Sequence, residues 1–134
     1  MTQRLAIRDK IQATIEAISS DKYSFDKYSN WQPTDTQYEK NHLDIRDEQE
    51  KSKRENGVYK TLLTIHVSAI IWESDKGTAE ELGTLALADL IRAIRPLTLP
   101  GSGLIKNLES DKWVETKGRS QCQIELDIQV SYKL

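Results

Sequence analysis

The chain has 134 residues, of which 37% are hydrophobic and 30% are charged, and its formal net charge is −2 at pH 7. This length corresponds to about one domain, and we expect a single domain over residues 1–134 with a small core and a large polar surface. No apolar run approaches the roughly 18–20 residues of a membrane-spanning helix, so we expect no membrane segment. Charges interrupt the first ten residues, so we expect no signal peptide.

Composition also limits the kind of site that the chain can form. One cysteine excludes an internal disulfide scaffold, and with two histidines a structural zinc site is not expected. There are 19 basic residues against 21 acidic ones, and the densest charged run, residues 46–55, carries four bases and four acids. Because no basic excess is present, the sequence does not predict sequence-specific nucleic-acid binding.

Residues 2–19 have the pattern of an amphipathic helix, with Thr2 as the candidate N-cap. Its apolar stripe consists of Ile7, Ile11, Ile15 and Ile18. The next segment, residues 21–41, has no period. It holds five of the nine aromatic residues: Tyr23, Phe25, Tyr28, Trp31 and Tyr38. Such a segment can line a binding site or cover an edge of the core, and we favour the cover.

The middle of the chain predicts strands. A short strand is expected over residues 42–47, and residues 48–57 have the pattern of a charged loop that ends in the turn dipeptide Asn56-Gly57. Residues 58–72 predict a long strand, because they are rich in Val, Ile and Thr. The second face of this strand is only half polar, since Leu62, Ile70 and Trp72 lie on it. That surplus apolar surface predicts association with another protein chain.

A helix and a hairpin complete the chain. Thr78-Ala79-Glu80-Glu81 matches a capping box that begins the helix, and Pro96 ends it. Strands are expected at residues 108–115 and 122–134, with a turn at 116–119, and the last strand alternates between apolar and polar residues without interruption. The predicted fold class is therefore α+β, an antiparallel sheet of about four strands with two helices packed on one face.

No arrangement of residues points to catalysis, so we expect a protein that is not an enzyme and that has no cofactor. His42 and His66 have no acidic or second histidine ligand at a helical or hairpin spacing, so neither predicts a metal site or a general base. Paired carboxylates could hold Mg²⁺ weakly, although solvated loops have the same pattern. The pairs are Asp44 with Asp47, Glu48 with Glu50, Glu73 with Asp75, and Glu109 with Asp111.

Four features together carry a resemblance to a known family. They are the amphipathic start Leu5–Ile18, the charged loop before the 58–72 strand, the helix over 78–95, and the closing hairpin that ends in Val130-Ser131-Tyr132-Lys133-Leu134. In this order they resemble the tail terminator proteins of long-tailed bacteriophages, a tail completion family similar to minor tail protein U. The resemblance covers nearly the whole chain. It implies a structural protein that caps the tail tube, ends its polymerisation and forms the head–tail joining surface as a hexameric ring.

The resemblance also implies partners and a location. The partners would be further copies of the chain, the tail tube protein and a head-completion or connector protein, in a virion tail assembled in the cytoplasm of the bacterial host. The candidate subunit-interface residues are Leu62, His66, Ile70 and Trp72. The charged loop becomes a candidate lumen-facing or tube-facing element. Its residues are Asp47, Glu48, Glu50, Lys51, Lys53 and Arg54.

Two other classes of function stay open. A small α+β ligand-binding or enzyme subunit would use the aromatic segment Tyr23–Tyr38 to line a pocket, and Trp31→Ala would then abolish ligand binding. An adaptor module would be a monomer in isolation and would bind one host protein in a 1:1 complex.

Overall fold

The computed structural model describes residues 3–29, 41–101, 103–117 and 119–133. Within these residues the chain forms two helices and five strands. In chain order they are α1 (Gln3–Glu16), β1 (Asp26–Ser29), β2 (His42–Glu55), β3 (Val58–Glu73), α2 (Lys76–Ile94), β4 (Leu104–Lys117) and β5 (Arg119–Lys133).

The strands form one sheet in the order β1-β2-β3-β5-β4. The pairs β2–β3, β3–β5 and β5–β4 are antiparallel, whereas β1 runs parallel to the start of β2. The predicted α+β fold is therefore confirmed, with four antiparallel strands and two helices. The short β1 was not predicted, because it lies in the aromatic segment, where no alternation is visible in the sequence.

Both helices pack on one face of the sheet, which we call the inner face. Ile7, Ile11 and Ile15 of α1 are buried there, as the predicted stripe requires, while Ile18 is only partly buried. The helix α2 packs across β3, β5 and β4 and also contacts α1. The sheet contributes alternate residues of its two central strands to this core: Leu63, Ile65, Val67, Ala69 and Ile71 from β3, and Cys122, Ile124, Leu126, Ile128 and Val130 from β5.

The expected charged loop at residues 48–57 is wrong, because these residues are mostly strand. β2 continues to Glu55 and pairs with β3 as far as Val58. The turn itself is confirmed: Asn56 and Gly57 have φ values of +50° and +79°, the pair of positive angles that a two-residue hairpin turn requires. The sequence concealed this strand because its far end is exposed on both faces, so no apolar residues alternate along it.

The start of α2 also differs from the prediction. The N-cap is Asp75, whose Oδ2 accepts hydrogen bonds from the Thr78 backbone nitrogen at 2.9 Å and from the Thr78 hydroxyl at 3.0 Å. These bonds lower the pKa of Asp75. The predicted capping box at Thr78 is therefore wrong, and the helix begins two residues earlier, at Lys76. Its predicted end before Pro96 is confirmed. Thr2, the cap expected for α1, lies outside the described residues.

The closing hairpin is longer than predicted. β4 spans Leu104–Lys117 rather than residues 108–115, and β5 begins at Arg119 rather than at residue 122. The alternation of β5 is confirmed, since its inward residues are buried and its outward ones are half-buried from Gln123 to Ser131.

Gly83 allows α2 to approach β5 closely, and this contact is testable. A Cβ at position 83 would lie 2.2 Å from Cys122 Sγ and 3.0 Å from Cys122 Cβ. We expect Gly83→Ala to lower the free energy of unfolding by about 1–2 kcal/mol, because the overlap outweighs the gain of about 1 kcal/mol in helix propensity. Urea unfolding measures this change. In a Cys122→Ala background the same substitution should cost less, and an equal cost in both backgrounds would contradict the contact.

Candidate functional site

The second face of the sheet, which we call the outer face, carries all four predicted interface residues. Leu62, His66, Ile70 and Trp72 lie on alternate positions of β3, opposite its buried residues, and each is half-buried. They do not form one apolar patch. The polar residues Thr64 and Ser68, together with His66 itself, separate Leu62 from the Ile70–Trp72 end. The outer face is thus apolar at two ends and polar between them.

Trp72 is fixed within the fold. Its backbone nitrogen donates to Asn41 Oδ1 at 2.7 Å, and its indole nitrogen is buried without a hydrogen-bond partner among the described residues. Gln121, opposite Trp72 on β5, is also buried and donates to Glu115 at 3.2 Å. Because the indole nitrogen of Trp72 is buried, a charged side chain at this position would disturb the fold as well as any interface.

His66 lies at the centre of the outer face among carboxylates. Its Nδ1 is 2.6 Å from Asp127 Oδ1, and its Nε2 is 3.9 Å from Glu125 Oε1. The register of the sheet places Glu109 opposite Asp127 and Asp111 opposite Glu125. Side chains directly opposite in a ladder lie on the same face. Glu48 completes the group, because its carboxylate lies near His66 and Asp127. We call these five carboxylates, Glu48, Glu109, Asp111, Glu125 and Asp127, the acidic face.

No acidic residue at a helical or hairpin spacing marks His66 in the sequence, because its carboxylate neighbours come from other strands. Asp127 is 61 residues away in sequence and becomes its neighbour only through the pairing of β3 with β5. Part of the signal for this neighbour of His66 was present in the sequence. The last strand alternates strictly, so Glu125 and Asp127 had to face outward, and only the register with β3 was missing.

The predicted lumen-facing or tube-facing residues separate into three groups. Asp47 and Glu50 lie on the inner side, where Arg4 of α1 contacts Asp47 at 2.9 Å and Glu50 at 3.1 Å. Arg8 adds a contact to Asp47 at 3.5 Å, and the Tyr132 hydroxyl donates a hydrogen bond to Glu50. These two carboxylates join α1 to the sheet, so they are structural groups of the core edge.

Glu48 belongs to the acidic face, whereas Lys51, Lys53 and Arg54 lie on the far end of the β2–β3 hairpin. We call this end, residues 51–60, the basic tip, because it carries four basic residues and one acidic residue. Every position described there is exposed. The Arg54 guanidinium lies 6.0 Å from the centre of the Tyr59 ring, within reach of a cation–π contact. The charges of residues 46–55 balance in the sequence, but they are separated in space. Most of the acidic residues lie near α1 or on the acidic face, and most of the basic residues lie on the basic tip.

The same structure separates two of the acidic pairs considered for Mg²⁺. Asp44 contacts Arg46, with Nε–Oδ2 at 2.8 Å, whereas Asp47 lies under α1. Glu48 faces outward, and Glu50 faces inward. A β-bulge between Asp47 and Gln49 places Glu48 and Glu50 on opposite faces, since it inserts one residue and shifts the alternation of β2.

A cavity of about 170 Å³ lies near part of the aromatic segment. Its wall includes Tyr23 and Phe25, whose rings meet edge to face with centres 5.4 Å apart. Leu43, Ala86 and Leu90 also line the cavity and are apolar. The Tyr23 hydroxyl donates to Asp89, and burial together with this bond raises the pKa of Tyr23. Trp31 and Tyr38 lie outside the described residues.

Comparisons with known proteins add no family assignment. Neither the protein-family models nor the curated proteins searched gave a match to this chain. In the part of the chain that the structure describes, no helix is both long and apolar enough to cross a membrane.

The hydrogen bond from Tyr132 to Glu50 gives a pH prediction. Burial, and then this bond, raise the pKa of Tyr132 to about 12, above the ordinary value of 10. The stabilisation from the neutral phenol is complete below pH 10 and is lost as the pH rises toward 12, because the unfolded phenol ionises first. We expect the stability difference between the native chain and Tyr132→Phe to shrink by about 2 kcal/mol from pH 9 to pH 12.

Urea unfolding at each pH measures this difference. Tyr59→Phe, which removes an exposed phenol at the basic tip, is the matched control. If the Tyr132→Phe difference does not vary with pH, the bond to Glu50 does not stabilise the fold.

Proposed function

We propose that the protein is a structural subunit that associates with its own copies head to tail, as the ring subunit of a phage tail terminator does. In this function the ring caps the tail tube, ends its polymerisation and joins the tail to the head. The observation that carries the proposal is the separation of charge between the basic tip and the acidic face. The two surfaces belong to one subunit and have opposite sign.

Opposite charges on two different surfaces favour a contact between the tip of one copy and the acidic face of another. A two-fold dimer whose axis passes through either surface would bring like charges together. A two-fold dimer that pairs each tip with the partner's acidic face has twice the mass of one chain, so its mass distinguishes it from a ring. In a head-to-tail contact the tip of one copy meets the acidic face of the next. Such a contact is heterologous, and it closes into a ring when its rotation divides a full turn.

The tip is suited to such a contact by its position and its support. It extends past the last β3–β5 pair, Lys60 with Lys133, so its end stands clear of the neighbouring strand. Its base is held to α1 through Arg4, Asp47 and Glu50. A hairpin that is anchored in this way keeps its direction, so less conformational freedom is lost when it docks.

A charge-swap experiment tests this assembly. The tip variant Lys51→Glu/Lys53→Glu/Arg54→Glu and the face variant Glu109→Lys/Asp111→Lys should each abolish association, and their combination should restore it. Light scattering after size exclusion measures the mass. A ring of six would have a mass six times that of the 15.4 kDa chain.

The matched control reverses three exposed lysines elsewhere, Lys10, Lys22 and Lys76, and changes the net charge as the tip variant does. It should keep the native mass. If native and tip-variant chains have the same mass at every concentration and ionic strength, head-to-tail assembly through the tip is contradicted. A chain that is always monomeric alone but forms a stable 1:1 complex with one protein would favour the adaptor instead.

The cavity supports a second candidate, a module that binds a small ligand. Its volume of about 170 Å³ suits a single-ring apolar molecule, and its rim offers the hydroxyls of Ser19, Ser20 and Ser24. We expect benzene or toluene to raise the melting temperature of the native chain, measured by calorimetry, by a few degrees at saturation. Ala86→Met would fill the cavity and remove that shift. An unchanged melting temperature with both compounds would contradict this candidate.

A further inference from the structure

Three side chains with metal-binding atoms meet at the centre of the acidic face. Glu48 of β2, His66 of β3 and Asp127 of β5 each present one donor atom, and these atoms all lie within 4.8 Å of one another. We propose that the three residues bind one divalent transition-metal ion of the zinc class. This site is separate from the basic tip and does not depend on the proposed assembly.

The chemistry of the donors points to that class of ion. One imidazole nitrogen with two carboxylate oxygens is a mixed set that suits zinc and its neighbours in the transition series. Magnesium and calcium prefer oxygen ligands alone. The Glu125 carboxylate, 3.9 Å from the second imidazole nitrogen, adds negative charge beside the ring. The imidazole therefore distinguishes this site from the exposed pairs of carboxylates elsewhere in the chain.

The sheet holds two of the ligands in place before an ion arrives. The His66 side chain is 17% exposed, and its Nδ1 lies 2.6 Å from Asp127 Oδ1 on the neighbouring strand. Ligand atoms on one zinc ion lie about 3.3 Å apart, given bonds of about 2.0–2.1 Å at tetrahedral angles. The ion would take the place of the proton between His66 and Asp127, and that proton would pass to solvent.

The third ligand, Glu48, can move its side chain to reach the ion. Glu48 is exposed and is the extra residue of the β-bulge. It has no partner position in the ladder, and its carboxylate lies near His66. Its rotatable side chain can close a gap of about 1.5 Å without moving the backbone. The remaining carboxylates of the acidic face, Glu109 and Asp111, add negative charge around the ion. Arg46, opposite His66, is in contact with Asp44.

Calorimetric titration of the intact, metal-free chain with Zn²⁺ tests the proposal. We expect one ion per chain, with His66→Gln and Asp127→Asn each weakening the affinity at least tenfold. Glu81→Gln, which removes an exposed carboxylate from α2, is the matched control and should leave the affinity unchanged. Circular dichroism shows whether each variant keeps its fold. The ¹⁵N signals of the His66 imidazole should shift on zinc addition while the His42 signals stay in place.

Three results would overturn the proposal. The first is that the native chain binds no zinc at millimolar concentration. The second is that the native chain and a folded His66→Gln variant bind Zn²⁺ with equal affinity. The third is that the native chain binds Zn²⁺ and Mg²⁺ with equal affinity, which would exclude a contribution from the imidazole. The tip variant retains all three ligands. It should bind zinc like the native chain, so a failure of the assembly proposal and a failure of the metal proposal are distinguishable.

Discussion

The sheet has two long faces, and the two helices cover the same one. The central strand β3 has 16 residues, about 54 Å at the usual rise, and its inward side chains are buried from Thr61 to Ile71. In the described residues both helices lie on the inner face, and the outward side chains are half-buried from Leu62 to Trp72 in β3 and from Gln123 to Ser131 in β5. Most of these outward residues are polar or charged, and they concentrate carboxylates on one surface of a chain whose total charge is nearly balanced.

The parts of the fold that bury apolar residues were readable from the sequence. The isoleucine stripe of α1 and the alternation of β5 follow directly from the periods of helix and strand. The far half of β2 was not readable, because a hairpin arm exposed on both faces needs no apolar alternation and is stabilised by its backbone ladder. The N-cap of α2 was predicted at the wrong residue, because Asp75 and Thr78 are both residue types that favour this position. In the structure the N-cap is Asp75, the earlier of the two.

The candidate site was predictable only in part, for a related reason. The outward direction of His66 and of Asp127 followed from alternation within each strand. Their meeting depends on the register between strands that lie some 60 residues apart, and a single sequence does not supply that register. The separation of the charged run had the same origin. Asp47 and Glu50 face α1, while Glu48 faces the opposite side, because of one inserted residue that composition alone could not locate.

That inserted residue has an evolutionary consequence. Asp47 already pairs with Ile65 and Gln49 with Thr64, so the ladder on both sides of Glu48 is complete without it. A deletion of this codon would convert β2 into a regular strand and leave every other side chain on its present face. Deleting either neighbour would also restore a regular strand, with Glu48 in the position that the neighbour now holds. Position 48 is therefore a natural place for the length of β2 to vary among descendants of this chain, and a lineage that lost it would lose a carboxylate beside His66 but keep its hairpin arm.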